Sequence, residues 1–423
     1  MNWHSTQFEM LDWAIIVVGV ATVAWFVYRA IQKSKAEKTG GETSDDYFLS
    51  GRSETWFTIG AAIFAANIGS EHLVGLAGAG AETGMGMAHW EMQGWMILIL
   101  GWFFVPFYEH SKIFTMPEFL NRRFTRNTSS ALSLITLISY VLTKVSVTAI
   151  TGGVFFEGLL GLPFWYGALG LVALTGVFTI FGGMKGVMTI SAIQTPILIV
   201  GAFLVLFLGL NALGDGSIVQ GWENMLAHAQ TMNKGEDGTA YGINHLMHFN
   251  ESDPLYGRFP GFGVFIGAAI IGFWYWCTDQ FIVQRVLSGK NEMEARRGTI
   301  FGAYLKLLPV FLFLIPGMIA FALHQKYIGA GGEGFLPMLA NGTANPDAAF
   351  PTLVAKLLPA GVKGLVVCGI LAALMSSLAS LFNSSAMLFT IDFYKRFRPE
   401  TPEKKLVGIG QIATVVIVIL GIL

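Results

Sequence analysis

The chain has 423 residues, of which 53% are hydrophobic and only 13% are charged, and its formal net charge is −1. A soluble domain carries about 25% charged residues, so this composition excludes a water-soluble globular protein and also a disordered one. A net charge near zero provides no electrostatic field that would recruit nucleic acid. The two cysteines, Cys277 and Cys368, lie in apolar stretches and are expected to be free thiols. The composition predicts a protein embedded in the lipid bilayer.

Nine stretches are long and apolar enough to cross a bilayer, which requires about 20 residues per helix. They are predicted at 11–29, 56–80, 88–108, 129–156, 162–181, 187–210, 260–283, 299–322 and 362–390. A tenth stretch runs from Leu406 to Leu423, so we expect a fragment that ends inside a helix. The first span is not a signal peptide, because Glu9 and Asp12 stand at its leading edge in place of basic residues.

The positions of lysine and arginine predict the orientation of these spans. With the N-terminus outside and one crossing per span, 19 of the 26 basic residues fall in inner segments, Lys38 among them, and three fall in outer loops. The polar segment 211–258 is then extracellular, and its acidic residues, which include Asp237, outnumber its basic ones. The sequence thus predicts a multi-pass protein of the plasma membrane with its N-terminus outside.

Polar residues interrupt the second span near its middle. Asn67, Ser70, Glu71 and His72 follow an apolar run and are accompanied by four glycines. Polar groups and glycines at this depth are typical of a discontinuous helix, whose freed carbonyls can bind a cation. A close contact between helices through small residues is the alternative interpretation.

The ninth span carries small and hydroxyl-bearing residues on one helical face. They are Ala373, Ser376, Ser377, Ser380 and Ser384. A hydroxyl stripe can supply oxygen ligands to a hard cation. The alternative is that each serine bonds the carbonyl four residues earlier in its own helix or packs against glycine.

Several charged residues lie inside predicted spans, where a charge needs a partner or a polar ligand. Glu91 in the third span and Lys306 in the eighth have no partner nearby in the sequence. Lys144 in the fourth span is at least as well explained as a structural lysine. Asp279 and Arg285 can pair with each other, either as a gate or as a brace for the inner end of the seventh span.

The seventh span contains Trp274, Tyr275 and Trp276 in succession. Aromatic faces stack on sugar rings, and the tyrosine hydroxyl and indole N–H form hydrogen bonds. The triplet lies deep in the span, well before its basic end, which argues against an interfacial aromatic belt. His89, in the third span, is expected at the membrane interface and not as a ligand.

Sequence motifs of several other protein classes are absent. The chain has no P-loop, no zinc-binding pair such as H-E-x-x-H and no nucleophile elbow, so no enzyme activity is predicted. Without an ATP site, uphill transport would depend on an ion gradient.

Several motifs resemble those of the sodium/solute symporter family and, within it, of the sodium/glucose cotransporter branch. They are FAANIGS at 64–70, VGLAG at 74–78, TMPEFL at 115–120, WYWCTDQ at 274–280, IVQR at 282–285, YLKL at 304–307, FPTL at 350–353, LMSSL at 374–378 and FNS at 382–384. The resemblance covers the chain from about residue 45 to its end. The WYWCTDQ motif is characteristic of the glucose branch.

The resemblance implies two binding sites and no cofactor besides the coupling sodium ion. The sodium ligands would be the carbonyls of Ala65, Ile68 and Ala373 and the hydroxyls of Ser376 and Ser377. The sugar ligands would be Asn67, His72, Glu91, Tyr275, Trp276 and Lys306. Among them, Glu91 and Asn67 would accept or share hydroxyl hydrogen bonds, Lys306 would donate them, and Tyr275 would cover the inner side of the ring.

The resemblance also implies the fold, an all-α, LeuT-like inverted repeat of five plus five helices preceded by one extra helix at 11–29. The chain would be a single transporter domain over 1–423. Its first repeat would span about 53–210, followed by the extracellular loop 211–258 and the start of the second repeat at about 259–423. The later helices, including a glutamine that contacts sugar, would lie beyond Leu423.

The implied function is sodium-coupled symport of a hexose, such as glucose or galactose, by alternating access. Many family members carry an aspartate at the position of Ser191, so we expect one sodium ion per sugar. Two alternatives remain open at this point: a sugar-gated sensor or channel, and a sodium symporter for inositol, proline or a carboxylate. Glu91 argues against an anionic solute. The sequence does not predict the oligomeric state.

Overall fold

The computed structural model describes residues 8–36, 41–236 and 238–422, so Lys38, Asp237 and Leu423 lie outside the described residues. Within these ranges the secondary structure is helical, with four isolated bridges and no strand, which confirms the predicted all-α class. Cys277 and Cys368 are buried and free, as predicted.

The α-helices are numbered in chain order. They are α1 (Met10–Ala36), α2 (Ser44–Leu49), α3 (Trp56–Asn67), α4 (Ala77–Thr83), α5 (Ala88–Glu91), α6 (Gly94–Ile99), α7 (Val105–Ser111), α8 (Met116–Arg123), α9 (Arg126–Ser139), α10 (Ser146–Leu160), α11 (Phe164–Leu213), α12 (Ile218–Thr231), α13 (Gly263–Cys277), α14 (Gln280–Leu287), α15 (Glu292–Leu305), α16 (Ile315–Gly329), α17 (Ala349–Leu357), α18 (Val362–Met387), α19 (Lys395–Phe397) and α20 (Glu403–Ile422). Five π-helical segments adjoin them: Glu71–Leu76, Leu100–Phe104, Tyr140–Val145, Val310–Leu314 and Leu388–Tyr394. Three short 3₁₀ turns lie at Ser50–Arg52, Gly84–Met87 and Pro346–Ala348.

Six helical stretches in the described ranges are long and apolar enough to cross a membrane, or eight if each of two bent pairs is one span. The sequence predicts ten spans. The numbers differ because two of the eight helical stretches, 56–111 and α11, each contain two of the predicted spans. Gly84 (φ 62°) interrupts the helical stretch 56–111, and Gly183 (φ 49°) interrupts α11. Glycine tolerates such angles, which other residues avoid. A straight helix of 50 residues would be about 75 Å long, far more than a bilayer core of about 30 Å.

The second predicted span is broken in its middle, as the sequence predicts. Helix α3 ends at Asn67, Ile68 is extended (φ −88°, ψ 93°), and the continuing helix, which starts at Glu71, is inclined to α3 by 61°. A break that the sequence analysis missed separates α13 from α14, which are inclined by 44°. Helix α14 starts at this point because Asp279 caps it, accepting a hydrogen bond from the Phe281 amide. Each predicted repeat therefore begins with a broken helix.

Segments that are predicted on the same side of the membrane contact one another. Glu54 of the first inner segment forms an ion pair with Lys185 of another inner segment (2.8 Å) and its amide donates to the Ser288 carbonyl of a third. At the outer end, Lys326 pairs with Asp215 (2.7 Å). The fold thus brings together the segments that the charge pattern assigns to each side. The orientation relative to the cell stays a prediction.

A fully buried carboxylate ties the first helix to the ninth predicted span. Asp12 accepts hydrogen bonds from the amides of Gly361 (2.8 Å) and Gly364 (2.9 Å), at the start of α18. The carboxylate satisfies N–H groups that have no partner inside the helix and complements the positive end of its dipole. Helices α1 and α18 therefore begin on the same face of the protein.

Replacing Asp12 with alanine is expected to lower the free energy of unfolding by about 1–3 kcal/mol, because buried N–H groups lose their acceptor. The thermal unfolding of the purified protein in detergent measures this effect. Glu9→Ala, at an exposed position one turn earlier, is the control. Equal unfolding temperatures for the two variants would contradict the role assigned to Asp12.

The polar segment 211–258 is held together by a buried carboxylate. Asp253 accepts hydrogen bonds from the Asn233 side chain (2.6 Å) and the Leu255 amide (2.9 Å), and it lies 2.5 Å from Nδ1 of His248. Burial raises the pKa of Asp253, but these bonds from Leu255, His248 and Asn233 outweigh it, and the pKa lies below its ordinary value. Asp253 therefore stays ionised and fastens this segment at neutral pH.

Candidate functional site

Four of the six predicted solute ligands form one hydrogen-bonded group, the solute cluster of Asn67, Glu91, Tyr275 and Lys306. Nζ of Lys306 lies 2.7 Å from Oε2 of Glu91 and 2.5 Å from Oδ1 of Asn67. The Asn67 amide in turn donates to the Tyr275 hydroxyl at 3.2 Å. The two charges that lack a partner nearby in the sequence are therefore partners of each other.

The broken helices position this cluster. Asn67 is the last residue of α3 and Tyr275 lies in the last turn of α13, so each stands next to a break. Glu91 ends α5, and Lys306 caps the C-terminal end of α15. Four separate elements thus converge at the helix breaks, where the backbone also has polar groups free for a ligand.

His72 lies beside the cluster without being hydrogen-bonded to it. Its Nε2 is 3.3 Å from Oε1 of Glu91, and its ring packs edge-on against Phe313. The side chain is buried, and neither ring nitrogen has a hydrogen-bond partner among the described residues. Because an imidazole ring has a nitrogen that donates a hydrogen bond, His72 can still bind a hydroxylated ligand.

Trp276, the sixth predicted ligand, is oriented by a residue that the sequence analysis missed. Its indole N–H donates to Oε1 of Gln93 (3.1 Å), and the Gln93 amide donates to the Ala268 carbonyl (3.1 Å). The ring centre lies 5.5 Å from Nζ of Lys306, within cation–π distance. Trp274, by contrast, is half exposed and lies outside the cluster. The signal for Gln93 was its position two residues after Glu91, inside a span.

Gln93→Leu is expected to weaken solute affinity about five- to thirty-fold, because the buried indole of Trp276 loses its acceptor at a cost of about 1–2 kcal/mol. The solute concentration that gives half-maximal uptake measures this change. Met92→Leu, at the neighbouring exposed position, is the control. An unchanged half-saturating concentration in Gln93→Leu would show that the bond from Trp276 to Gln93 does not affect solute binding.

Asp279 pairs with Lys144, at 2.9 Å between Oδ2 and Nζ. The Tyr140 hydroxyl also donates to this carboxylate. Nζ of Lys144 lies 4.9 Å from the ring centre of Tyr275, which connects this ion pair to the solute cluster. Lys144 therefore has a buried partner, in agreement with its interpretation as a structural lysine.

The predicted pairing of Asp279 with Arg285 is wrong. The buried Arg285 side chain folds back along α14, donates to the Phe281 carbonyl and lies 4.6 Å from the centre of the Phe281 ring. Its Nε and Nη2 atoms have no hydrogen-bond partner among the described residues. Asp279 and Arg285 are six residues apart, a spacing that does not place two side chains together on a helix.

His89 is buried inside the protein, and its position relative to the membrane interface stays a prediction. Its Nδ1 lies 2.6 Å from the Gly86 carbonyl, and its ring packs against Phe259 at 6.0 Å. Phe259 belongs to the polar segment that precedes α13, and the Met85 amide bonds the Ile243 carbonyl of the same segment. The segment that precedes α13 therefore folds over this end of the third span and covers His89.

The five predicted sodium ligands lie in one buried region. All are at most 4% exposed: Ala65, Ile68, Ala373, Ser376 and Ser377. The Ser377 hydroxyl donates to the Ala66 carbonyl at 3.3 Å, which brings α18 against the broken end of α3. Oγ of Ser376 lies 2.7 Å from Oγ of Ser191 in α11. Three helices therefore meet around these uncharged oxygens.

The hydroxyl stripe of α18 divides into two parts. Ser376 and Ser377 face neighbouring helices, whereas Ser380 donates to the Ser376 carbonyl at 2.6 Å, four residues earlier in its own helix. Ser384 donates to Oε1 of Gln284 at 2.7 Å. The alternative interpretation, a bond within the same helix, thus holds for Ser380, whereas the Ser377 hydroxyl lies against the broken end of α3 and the Ser376 hydroxyl against α11. Neutral carbonyl and hydroxyl oxygens at an unwound helix are the ligands that sodium takes in transporters.

A cavity of about 530 Å³ borders Asp279, the residue that caps α14. Its walls are mainly aromatic and aliphatic, with Phe103, Phe107 and Trp274 among them. Binding pockets for polar solutes need several convergent polar groups. Thr136, Thr278 and Gln280 also border this cavity, but most of its surface is apolar, whereas the solute cluster consists of polar side chains that bond one another. We therefore take the solute cluster, and not the cavity, as the candidate site.

Comparison with known proteins gives one family. The model of the sodium:solute symporter family matches residues 47–423. The chain is 37% identical over 390 residues to sodium/myo-inositol cotransporter 2 of Mus musculus, covering 91% of this chain. It is 36% identical over 420 residues to sodium/glucose cotransporter 4 of Danio rerio, covering 98%. It spans 57% and 62% of the lengths of these two relatives.

A solved structure has the same fold. It is the substrate-bound outward-open state of a Na⁺-coupled sialic acid symporter, with a TM-score of 0.79 at 21% sequence identity. The match covers 98% of this chain and 82% of the symporter. The predicted LeuT-like fold is thereby confirmed.

Proposed function

Because this chain belongs to the sodium:solute symporter family, whose members are transporters and not enzymes, we propose that the full-length protein carries a neutral, polyhydroxylated solute across the plasma membrane together with sodium. The first candidate for the solute is a hexose of the glucose or galactose type. Transport proceeds by alternating access, with the N-terminus outside. Helix α1 precedes the first repeat at about 53–210, and the second repeat begins at about 259.

The observation that carries this proposal is the charge balance of the solute cluster. One ammonium and one carboxylate, Lys306 and Glu91, are 2.7 Å apart and neutralise each other. A neutral solute needs no counter-charge, whereas an anionic solute would have to displace Glu91 from Lys306. Hydroxyl groups both donate and accept, so a polyol can bond Asn67, Glu91 and Lys306 at once. In the proposal His72 adds a further polar contact, and Tyr275 and Trp276 contact the ring.

The second candidate solute is myo-inositol. It is favoured by the similarity of this chain to sodium/myo-inositol cotransporter 2, which is as high as that to sodium/glucose cotransporter 4. Both solutes are hydroxylated six-membered rings, and the solute cluster has hydrogen-bonding groups for either. The distinction is therefore left to direct measurement of uptake.

The proposed sodium site consists of the Ala65, Ile68 and Ala373 carbonyls and the Ser376 and Ser377 hydroxyls. The neighbouring helix contributes Ser191, a neutral residue, so we propose one sodium ion per solute. Moving one charge through 100 mV provides about 2.3 kcal/mol, enough for a gradient of tens-fold in the solute.

The test is uptake into proteoliposomes that contain the full-length protein. Labelled glucose, galactose and myo-inositol are offered in sodium and, at equal ionic strength, in choline. We expect accumulation of at least one of the three in sodium and its loss in choline. Equal uptake in both salts would refute coupling, and sodium currents without labelled uptake would favour a sugar-gated sensor or channel.

Ser377→Ala is expected to raise the sodium concentration for half-maximal uptake about tenfold, corresponding to about 1.4 kcal/mol. The substitution removes one hydroxyl ligand from the proposed sodium site and leaves the backbone of α18 unchanged. Uptake as a function of sodium, at saturating solute, measures this change. Ser385→Ala is the control, because Ser385 is buried in the same helix without a hydrogen-bond partner among the described residues. Equal sodium requirements in the two variants would remove Ser377 from the site.

A further inference from the structure

Gln194 in α11 is a buried amide without a partner. The residue is 1% exposed, and neither Oε1 nor Nε2 has a hydrogen-bond partner among the described residues. Buried polar side chains are nearly always hydrogen-bonded, since an unpaired amide in an apolar environment is costly. An amide kept at this position without a partner in the protein is therefore a candidate for contact with a ligand.

The packing of α11 against α18 defines which residue Gln194 faces. Three close contacts set the antiparallel register of the two helices: Ser191 with Ser376, Leu198 with Gly369, and Gly201 with Val366. Each residue further along α11 therefore lies opposite the residue one position earlier in α18. Gln194 is three residues after Ser191, on the same helical face, and therefore lies opposite Ala373. The carbonyl of Ala373 belongs to the proposed sodium site.

The same part of α11 also contacts the broken helix. The Thr195 hydroxyl donates to the Ala61 carbonyl of α3 at 3.1 Å. The buried polar residues here, Ser191, Gln194 and Thr195, are all uncharged. Ser191 and Thr195 have partners on α18 and α3, respectively, and Gln194 keeps a free carbonyl oxygen between these two contacts.

We propose that Gln194 is a further sodium ligand, which binds the ion through Oε1 from the α11 side. The inference rests on the proposed function, because it assigns one more oxygen to the same sodium site. Amide carbonyl oxygens are ordinary ligands of hard cations in proteins. Such a ligand makes the site depend on three helices, α3, α11 and α18. It also explains why this position keeps an amide that has no partner among the described residues.

The proposal predicts opposite effects of one substitution with and without sodium. In Gln194→Leu the unpaired amide is replaced by an apolar side chain, so the unfolding temperature in choline should rise or stay unchanged. The sodium dissociation constant of the same variant should increase at least tenfold, and its stabilisation by sodium should shrink accordingly. If the amide had only a structural role, its replacement would not weaken sodium binding while leaving the unfolding temperature in choline unchanged or higher.

The experiment uses the purified full-length protein in nanodiscs, with equilibrium binding of ²²Na⁺ and thermal unfolding in sodium and in choline at equal ionic strength. Gln194→Glu keeps the size and an oxygen ligand, so it should bind sodium at least as tightly as the wild type. Gln411→Leu is the control, because it removes the amide of another glutamine, which is partly buried and bonds the Ile180 carbonyl in the first arm of α11.

Three outcomes separate the inference from the proposed function. Tenfold weaker sodium binding in Gln194→Leu, with normal binding in Gln194→Glu and Gln411→Leu, supports the inference. Sodium binding in Gln194→Leu equal to that of the wild type overturns the inference and leaves the symport proposal standing. Absence of sodium binding by the wild type overturns the sodium site and the role of Gln194 together.

Discussion

Lys306→Ala and Glu91→Ala are each expected to abolish solute uptake and to lower the free energy of unfolding by about 3–5 kcal/mol. The two side chains are 5% and 4% exposed and 2.7 Å apart, so removing one leaves the other charge buried without its counter-charge. Asn67, which accepts from Lys306, cannot supply a compensating charge. Uptake in proteoliposomes and thermal unfolding of the purified variants measure the two effects.

The double variant Lys306→Met/Glu91→Gln separates binding from stability. It removes both charges at once, so it should recover most of the stability that either single variant loses, while uptake remains absent. Single variants that unfold at the wild-type temperature would show that the pair is not buried in the membrane-embedded protein. Normal uptake by the double variant would remove both residues from the solute site.

Asp279→Ala is expected to have an effect of similar size, about 3–5 kcal/mol on the free energy of unfolding, because Asp279 accepts from three donors. These are Nζ of Lys144, the Tyr140 hydroxyl and the Phe281 amide at the start of α14. The substitution leaves a buried ammonium next to the ring of Tyr275 and removes the cap of α14. Solute affinity should therefore fall together with stability.

A double-mutant cycle with Asp279→Asn and Lys144→Met measures the coupling, which should exceed about 1 kcal/mol for two buried partners in contact. Asp45→Ala is the control, since Asp45 pairs with Arg52 at the surface, where 46% of its side chain is exposed. Such a pair contributes about 0–1 kcal/mol. A coupling free energy between Asp279 and Lys144 that does not exceed about 1 kcal/mol would contradict the assignment of a buried ion pair.

The break in the second span could be predicted because its cause is local. Polar residues between Asn67 and His72 stand next to glycine inside an apolar stretch, and no continuous helix in a membrane favours that composition. The break between α13 and α14 has an equally local cause, the capping carboxylate of Asp279. It was missed because the three polar residues at 278–280 are enclosed by the aromatic or apolar stretches 274–277 and 281–283, which together resemble an uninterrupted span.

The partners of the buried charges could not be predicted from nearby residues. Glu91 and Lys306 are 215 residues apart, and their contact depends on how α5 and α15 lie in the completed fold. Arg285 was chosen for Asp279 because it is close in the chain, whereas Lys144 reaches the same carboxylate from another helix. Gln194 has no charge and no motif, and it attracts notice only once its burial and missing partner are known.

The contact between Asp12 and the start of α18 has a consequence for biosynthesis. Asp12 and Gly361 are separated by 349 residues, which a ribosome adds in roughly 17–70 s at about 5–20 residues per second. Throughout that interval α1 lacks the glycine amides that satisfy its carboxylate. The contact between α1 and α18 can therefore form only after this long stretch has been synthesised, and a chain that stops before α18 leaves Asp12 without these two hydrogen-bond donors.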